Sequence, residues 1–160
     1  MGTRSGDLDP AVVTYIEEKD GVSPEDMDTI LNKKSGVLGI SGVSSDFRDL
    51  EDAANEGNER AQYALDIFTT RVKRYIAGYM AEIGETDAIV FTGGIGENSI
   101  EMRKAIMEGF EQFGIKIDEE ANNVRGDEHV ISSEDSKVKL MVIATNEELM
   151  IARDTQNLVK

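Results

Sequence analysis

The stretch Asp87-Ala-Ile-Val-Phe-Thr-Gly-Gly-Ile-Gly-Glu-Asn-Ser99 decides how the 160-residue chain folds. Ala88 to Phe91 is a short continuous apolar run, which predicts a strand buried on both faces of a sheet. The glycines after it predict a tight turn. A helix is then expected from about Ser99 to Phe113, with Asn98 as N-cap and Glu101 three residues later. The stretch therefore predicts one strand and one helix in succession.

A second strand and helix follow in the same order near the C-terminal end. Val138 to Ala144 is expected to be a strand, and Thr145 is expected to cap a helix over about Asn146–Leu158. Thr145-Asn-Glu-Glu148 has the capping-box pattern, which gives Glu148 a structural task and leaves Glu147 free to face a ligand. Because strands alternate with helices, the predicted class is α/β with a largely parallel sheet.

The remaining sequence predicts mainly helices. Helices are expected over about 10–19 and 24–33, each with a proline in its first turn. Residues 36–43 could be strand or loop, and residues 114–118 could form a short strand. A long helix is expected over about 60–83 because apolar residues recur every three or four positions. We interpret that stripe as core or subunit interface, and it consists of Ala64, Phe68, Val72, Tyr75, Tyr79 and Ile83.

The composition excludes several classes of function. The net charge is −15, from 32 Asp and Glu against 17 Lys and Arg. Such a surface repels phosphate backbones and anionic lipids, so neither nucleic acid nor a membrane is an expected partner. The absence of cysteine excludes disulfides and thiolate metal sites. The single histidine, His129, lies in an acidic stretch predicted to be a loop and is assigned no role. With no signal peptide visible, we expect a soluble, cytoplasmic protein.

The glycine-rich segment Gly93-Gly-Ile-Gly-Glu-Asn98 allows two interpretations. Backbone amides at a helix start attract anions, and glycines let a ligand approach closely, so the segment could be a nucleotide-contacting loop. It could equally be a tight turn that needs glycine. It is not a Walker A sequence, and Ser99 stands where a dinucleotide fingerprint has its third glycine. These residues alone leave both interpretations open.

Four motifs in order resemble the acetate and propionate kinase family. Val90-Phe-Thr-Gly-Gly-Ile-Gly-Glu-Asn-Ser99 resembles the family's second nucleotide-binding segment. Met1-Gly-Thr-Arg-Ser-Gly-Asp-Leu-Asp-Pro10 resembles its arginine-bearing segment, Ser44-Ser-Asp-Phe-Arg-Asp49 its adenine-side segment, and Thr145-Asn-Glu-Glu-Leu149 its magnesium-side segment. Residues 1–160 are thus similar to the C-terminal part of the family's second domain. The implied fold is a partial actin-like ATPase (ribonuclease H-like) domain without its first strands.

The resemblance implies transfer of the terminal phosphoryl group of ATP to acetate, giving acetyl phosphate and ADP. Such transfer depends on positioning and on charge stabilisation. Arg4 matches the family's catalytic arginine, which is thought to stabilise the transferring phosphoryl group, and Glu147 matches the glutamate that helps to hold Mg²⁺. The side chains of Phe47 and Arg48 could both stack on a base. The implied nucleotide-binding residues are Asp46, Phe47, Arg48, Gly94, Ile95, Gly96, Glu97 and Asn98.

The resemblance also implies that much of the family's active site has no counterpart here. The first domain, with its acetate-side residues, is not represented, and neither are the first strands of the second domain with their phosphate-gripping loop. We therefore expect an open sheet edge and a chain that is inactive, or nearly so, alone. Acetate and propionate cannot be distinguished. A homodimer is expected from the family, and a non-catalytic nucleotide-binding or dimerisation module is the alternative function.

Overall fold

The computed structural model describes residues 2–159, which fall into two compact units that divide between Val72 and Lys73. The first unit is helical, and its apolar core includes the fully buried Leu50, Ala61 and Ala64. No helix within the described residues is long and apolar enough to cross a membrane. The helices of this unit are α1 (Pro10–Asp20), α2 (Pro24–Lys33), α3 (Gly36–Ser41), α4 (Phe47–Asn55) and the beginning of α5 (Glu59–Ile83).

The helix α3 occupies the stretch that could have been strand or loop. Its amide at Leu38 donates a hydrogen bond to the Gly2 carbonyl at 3.0 Å, so the N-terminal segment supplies an acceptor to the first part of the helix. At the other end Gly42 takes a left-handed conformation with φ 68°, which terminates the helix. The Arg60 side chain then donates to the Ile40 carbonyl at 2.7 Å. The stretch is helical because donors and acceptors distant in sequence satisfy both ends.

The second unit is a small mixed sheet flanked by helices. The strand order is β1-β3-β2, with β1 parallel and β2 antiparallel to β3. The parallel pair and the helices that follow its two strands agree with the predicted α/β pattern. The elements after α5 are β1 (Ala88–Phe91), α6 (Gly93–Asn98), α7 (Ile100–Met107), a 3-10 helix (Phe110–Phe113), β2 (His129–Val130), β3 (Lys139–Val142) and α8 (Glu147–Leu158).

The prediction that β1 is buried on both faces is wrong for this chain. Among residues 2–159 the strand pairs with β3 alone, so it forms an edge of the sheet. Phe91 is 7% exposed, but Val90, whose side chain points to the opposite face, is 46% exposed. The apolar run therefore has one covered face, and the expected open edge lies along β1.

The predicted helix over residues 99–113 is two helices. Ser99, not Asn98, caps α7, because its hydroxyl accepts a hydrogen bond from the Met102 amide at 3.1 Å. Gly109 has φ 93° and ends the α-helical conformation before the 3-10 helix begins. A left-handed glycine cannot continue an α-helix, which explains the break.

The region between the 3-10 helix and β3 also differs from the prediction. Residues 114–118 do not form a strand and contribute one isolated bridge, from Ile117 to Ser132. His129, predicted to lie in a loop, instead pairs with β3 as part of β2, where it is exposed. Strand β3 is therefore the centre of the sheet.

The helix α8 begins one residue later than predicted. Asn146 is its N-cap, and its side-chain oxygen accepts from the Leu149 amide at 3.1 Å. Thr145 is engaged elsewhere, since its hydroxyl lies 2.7 Å from the hydroxyl of Thr92. Glu148 is then the second helical residue, so it is out of place for the capping box. It is instead an exposed acid in the first turn, which favours the helix dipole.

Replacing Asn146 with Ala should destabilise α8 by about 1 kcal/mol, because the Leu149 amide loses its acceptor. Backbone amide exchange of Met150, Ile151 and Ala152 should then be about fivefold faster. Glu148→Ala, which removes an exposed charge, is the control and should have a smaller effect. A larger effect of Glu148→Ala than of Asn146→Ala would support the capping box instead.

Candidate functional site

The carboxylate of Glu97 joins the turns that follow β1 and β3. Its Oε1 accepts hydrogen bonds from the amides of Gly93, at 2.7 Å, and Thr145, at 2.9 Å. The Thr145 amide and then that of Gly93 lower the pKa of the Glu97 carboxyl, although burial opposes them. The bridge thus stabilises the folded chain above the unfolded pKa of about 4.3, and this stabilisation is lost as pH falls through the lower folded value.

The glycine-rich segment of the sequence is the short helix α6. A Cβ added at Gly96 would lie 3.1 Å from the backbone carbonyl carbon of Phe91, a tight contact, so packing against β1 favours a glycine there. A Cβ added at Gly94 would meet no atom within 4 Å. Gly94 therefore leaves open space in which a ligand could approach the backbone, next to the end of β1.

The other side chains of α6 mainly hold the segment itself. The side-chain amide of Asn98 donates to the Gly94 carbonyl at 3.0 Å. The side chain of Ile95 is half-buried. Oε1 of Glu97 is occupied by two backbone amides of the chain. What α6 offers to a ligand is thus mainly backbone, including the first-turn amides that no helix can satisfy internally.

Glu147 is the first residue of α8 and lies two residues after Thr145, whose amide Glu97 holds. It is exposed at the same carboxyl edge of the parallel pair as α6. Within residues 2–159 no group of three or more acidic or histidine side chains is arranged to hold a metal. A single carboxylate fits Mg²⁺ where phosphate oxygens and waters supply the other ligands.

In the first unit, Asp46 caps α4 and fixes the Arg48 side chain. Its carboxylate accepts from the Arg48 amide at 2.9 Å, from Nε at 3.1 Å and from a terminal nitrogen at 2.6 Å. These bonds to Arg48 lower the pKa of Asp46 to about 2 and raise the pKa of Arg48. The Arg48 side chain is 83% exposed, so a planar guanidinium is held in place with a face open to solvent.

Phe47 is a core residue, a position that does not favour its predicted stacking on a base, and the stacking stays a prediction. It is 8% exposed, and its ring meets the ring of Phe68 edge-on with centroids 4.6 Å apart. Stacking on a base needs an exposed face. The ring is buried because α4 packs through the side that also carries Leu50, three residues later.

Arg4 lies in a segment that backbone hydrogen bonds hold in place. The Ser5 amide donates to the Leu31 carbonyl at 2.8 Å. Gly2 lies beside the segment that carries Asp46, since a Cβ added there would be 3.4 Å from the Ser45 carbonyl oxygen. The Arg4 side chain itself is exposed. The first unit thus keeps two of the matched motifs next to each other.

Sequence analysis missed Arg103. It is fully buried on α7, and one of its terminal nitrogens donates to the Gly96 carbonyl at 2.9 Å. The available signal was its helical spacing from Ile106 and Met107, which places a basic residue on the apolar side of the helix.

The two glycines of α6 allow a matched test of this geometry. Gly96→Ala should lower the free energy of unfolding by about 1–3 kcal/mol, because the atom it meets is backbone and must move. Gly94→Ala should change it by no more than about 0.5 kcal/mol, since the added methyl group enters open space. Urea unfolding of both variants measures the difference. Equal costs for the two would contradict the packing described for α6.

Comparison with known proteins gives consistent matches over the whole chain. A family model described as the acetokinase family matches residues 1–153. The acetate kinases of Finegoldia magna and Treponema denticola are 64% and 61% identical to the chain, and each match covers 100% of the chain and 40% of the relative. The chain therefore spans about 40% of the length of these relatives.

Solved structures agree with these matches. The acetate kinase of Porphyromonas gingivalis superposes with a TM-score of 0.93 at 48% identity, covering 100% of the chain and 40% of that protein. A propionate kinase from Francisella tularensis gives a TM-score of 0.90 at 45% identity, covering 98% and 40%. The predicted fold class, part of an actin-like ATPase domain, is confirmed. With a family model matched over residues 1–153 and relatives more than 60% identical along its length, the chain belongs to the acetokinase family.

Proposed function

We propose that the chain supplies the nucleotide-side part of an ATP:acetate phosphotransferase. One observation carries the proposal: the uncovered backbone at Gly94 of α6 lies beside the joined ends of two parallel strands, at the edge that also carries Glu147. Sheets of this kind take ligands at the carboxyl ends of their strands. The acetate kinase names of the relatives support the reaction, and their 40% coverage supports a partial site.

In the second unit, the backbone of α6 would contact the nucleotide. Gly94 gives the closest approach, while Glu97 holds the strand ends and acts on the nucleotide only through the position of α6. Ile95, Gly96 and Asn98 keep the shape of the segment. Glu147 would hold Mg²⁺ together with phosphate oxygens, which supply the ligands that one carboxylate lacks.

In the first unit, Arg48 rather than Phe47 would contact the base. The exposed guanidinium is fixed by Asp46 and can stack on a flat ring. Phe47 anchors the segment in the core through its edge-on contact with the ring of Phe68. Arg4 would stabilise the transferring phosphoryl group as a permanent cation, provided that the acetate-side residues are also present.

The chain alone should form no measurable acetyl phosphate from ATP, acetate and Mg²⁺. The matched motifs include none of the family's acetate-side residues, so the two substrates should not be held together, and proximity alone is worth about 7–11 kcal/mol. ³¹P NMR measures the product, with an intact acetate kinase as the positive control. Turnover in the ordinary kinase range, about 1–100 per second, would show that a complete site is present.

Nucleotide binding should be weak and insensitive to phosphate number. We expect a Kd of about 0.1–1 mM, or about 4–5.5 kcal/mol, for ATP, ADP and AMP alike. The charge of −15 opposes a polyanion, and the family's phosphate-gripping loop is not among the motifs matched in residues 1–160. Calorimetry with the three nucleotides measures this. Micromolar binding that strengthens sharply from AMP to ATP would contradict it.

Substitutions at Arg48 and Phe47, measured in the same calorimetric titration, show which of the two side chains contacts the base. Arg48→Gln should weaken all three nucleotides about two- to fivefold, because a stacked cation contributes about 0.5–1 kcal/mol at an exposed site. Phe47→Leu keeps the core filled and should leave binding unchanged. The reverse pattern would return the stacking role to Phe47.

A dimerisation module is the second candidate function. The C-terminal part of α5 carries an exposed aromatic stripe, in which Tyr75 and Tyr79 stack with centroids 6.1 Å apart. Ile83 continues it at 69% exposure. Exposed aromatic and apolar side chains in a row are typical of protein interfaces. Light scattering with and without nucleotide separates this function from the first.

A further inference from the structure

Arg103 is a buried cation without a carboxylate partner among the described residues. Its Nε donates to the side-chain oxygen of Asn122 at 2.7 Å, and a terminal nitrogen donates to the carbonyls of Asn122 and Val124, both at 2.8 Å. The other terminal nitrogen donates to the Gly96 carbonyl. Burial, with the nearby Arg125, lowers the pKa of Arg103, yet an arginine stays charged in proteins.

Such a charge is a poor choice for stability alone. Removing a cation from water costs free energy that neutral oxygens repay incompletely, and well-packed apolar residues are often as good or better at buried ionic positions. What the planar guanidinium provides is direction, because its donors form a rigid fork. In this structure the fork spans from α6 to the segment after the 3-10 helix.

The C-terminal end of α6 depends on that connection. The last carbonyls of any helix lack partners within the helix. Here the Gly96 carbonyl accepts from Arg103, the Glu97 carbonyl accepts from the Gly126 amide at 3.1 Å, and the Asn98 carbonyl accepts from the Arg125 side chain at 2.9 Å. All three donors come from Arg103 or from the segment 122–126, which Arg103 itself holds. This set of bonds is called the α6 clamp below.

The helix α6 cannot hold its own shape. It has six residues, none of them buried, whereas isolated helices shorter than about 12–15 residues are marginal in water. Its N-terminal end is fixed by the Glu97 carboxylate at Gly93. Its C-terminal end is fixed by the α6 clamp. The position of Gly94, in the first turn of α6, therefore depends on the Glu97 carboxylate and on the α6 clamp.

We propose that Arg103 is a positioning residue for the nucleotide-contacting segment. Through the α6 clamp it sets where the backbone of α6 stands, and it does not itself touch the nucleotide. The proposal rests on the proposed function, because it assumes that α6 is the segment that meets the ligand. It extends that function to a residue that none of the four motifs contains.

The test compares Arg103→Lys with Met107→Ala in the 160-residue chain. Lysine keeps the charge but has one nitrogen, which cannot reach all four acceptors. Met107 is 1% exposed on the same helix and takes no part in the α6 clamp, so its variant reports general destabilisation. The free energy of unfolding of each variant is measured first. The amide exchange rates of residues 93–98 and the calorimetric Kd for ADP are then compared in relation to that loss of stability.

We expect Arg103→Lys, but not Met107→Ala, to speed amide exchange in α6 and to weaken ADP binding, each by about tenfold. Arg125→Lys leaves the buried cation in place and should produce the same changes to a smaller extent. It also keeps the proposal testable if Arg103→Lys does not fold.

Equal effects of Arg103→Lys and Met107→Ala, or unaltered ADP binding by both arginine variants, would overturn the positioning role. Absence of ADP binding by the unsubstituted chain would overturn the proposed function instead. The exchange data would then decide alone whether Arg103 holds α6, and unchanged exchange in both arginine variants would refute the clamp.

Discussion

The bridge from the Glu97 carboxylate to the amides of Gly93 and Thr145 is the interaction on which the second unit's site depends. The parallel strands β1 and β3 are four residues each, too short to align the turns beyond their ends. One carboxylate oxygen joins these turns by accepting from the amides of Gly93, two residues after β1, and Thr145, three residues after β3. It thereby fixes where α6 and α8 begin, and it gives Gly94 and Glu147 a common edge.

The charges of the chain divide into those that hold the fold and those that remain available. The side chains of Arg103 and Arg125 donate hydrogen bonds to backbone carbonyls of α6. Arg4 and Arg48 are exposed in the first unit, and Arg48 is held by Asp46 in a fixed orientation. In a chain of net charge −15, few cations are thus left to attract a polyanion, which is why we expect binding to depend on the base more than on phosphate.

The local sequence pattern predicted the secondary-structure elements better than the tertiary contacts around them. The long helix α5 followed from the spacing of its apolar residues, and α2 followed from the proline in its first turn. The exposed face of β1 did not, because a continuous apolar run predicts cover on both faces, and Val90 is exposed among the described residues. The burial of Phe47 was not predicted, because its motif marks a ligand-side segment without telling which side chain turns inward. Arg103 escaped notice because its partners lie about twenty residues away, and only the folded chain brings them to it.

We propose that the chain contacts nucleotide through α6 and through the Asp46–Arg48 segment. This is tested by an NMR titration of the ¹⁵N-labelled chain with ADP, since each backbone amide reports its own environment. We expect the largest chemical-shift changes at Gly94 to Asn98 and at Arg48. Changes confined to other parts of the chain, or absent at millimolar ADP, would contradict it.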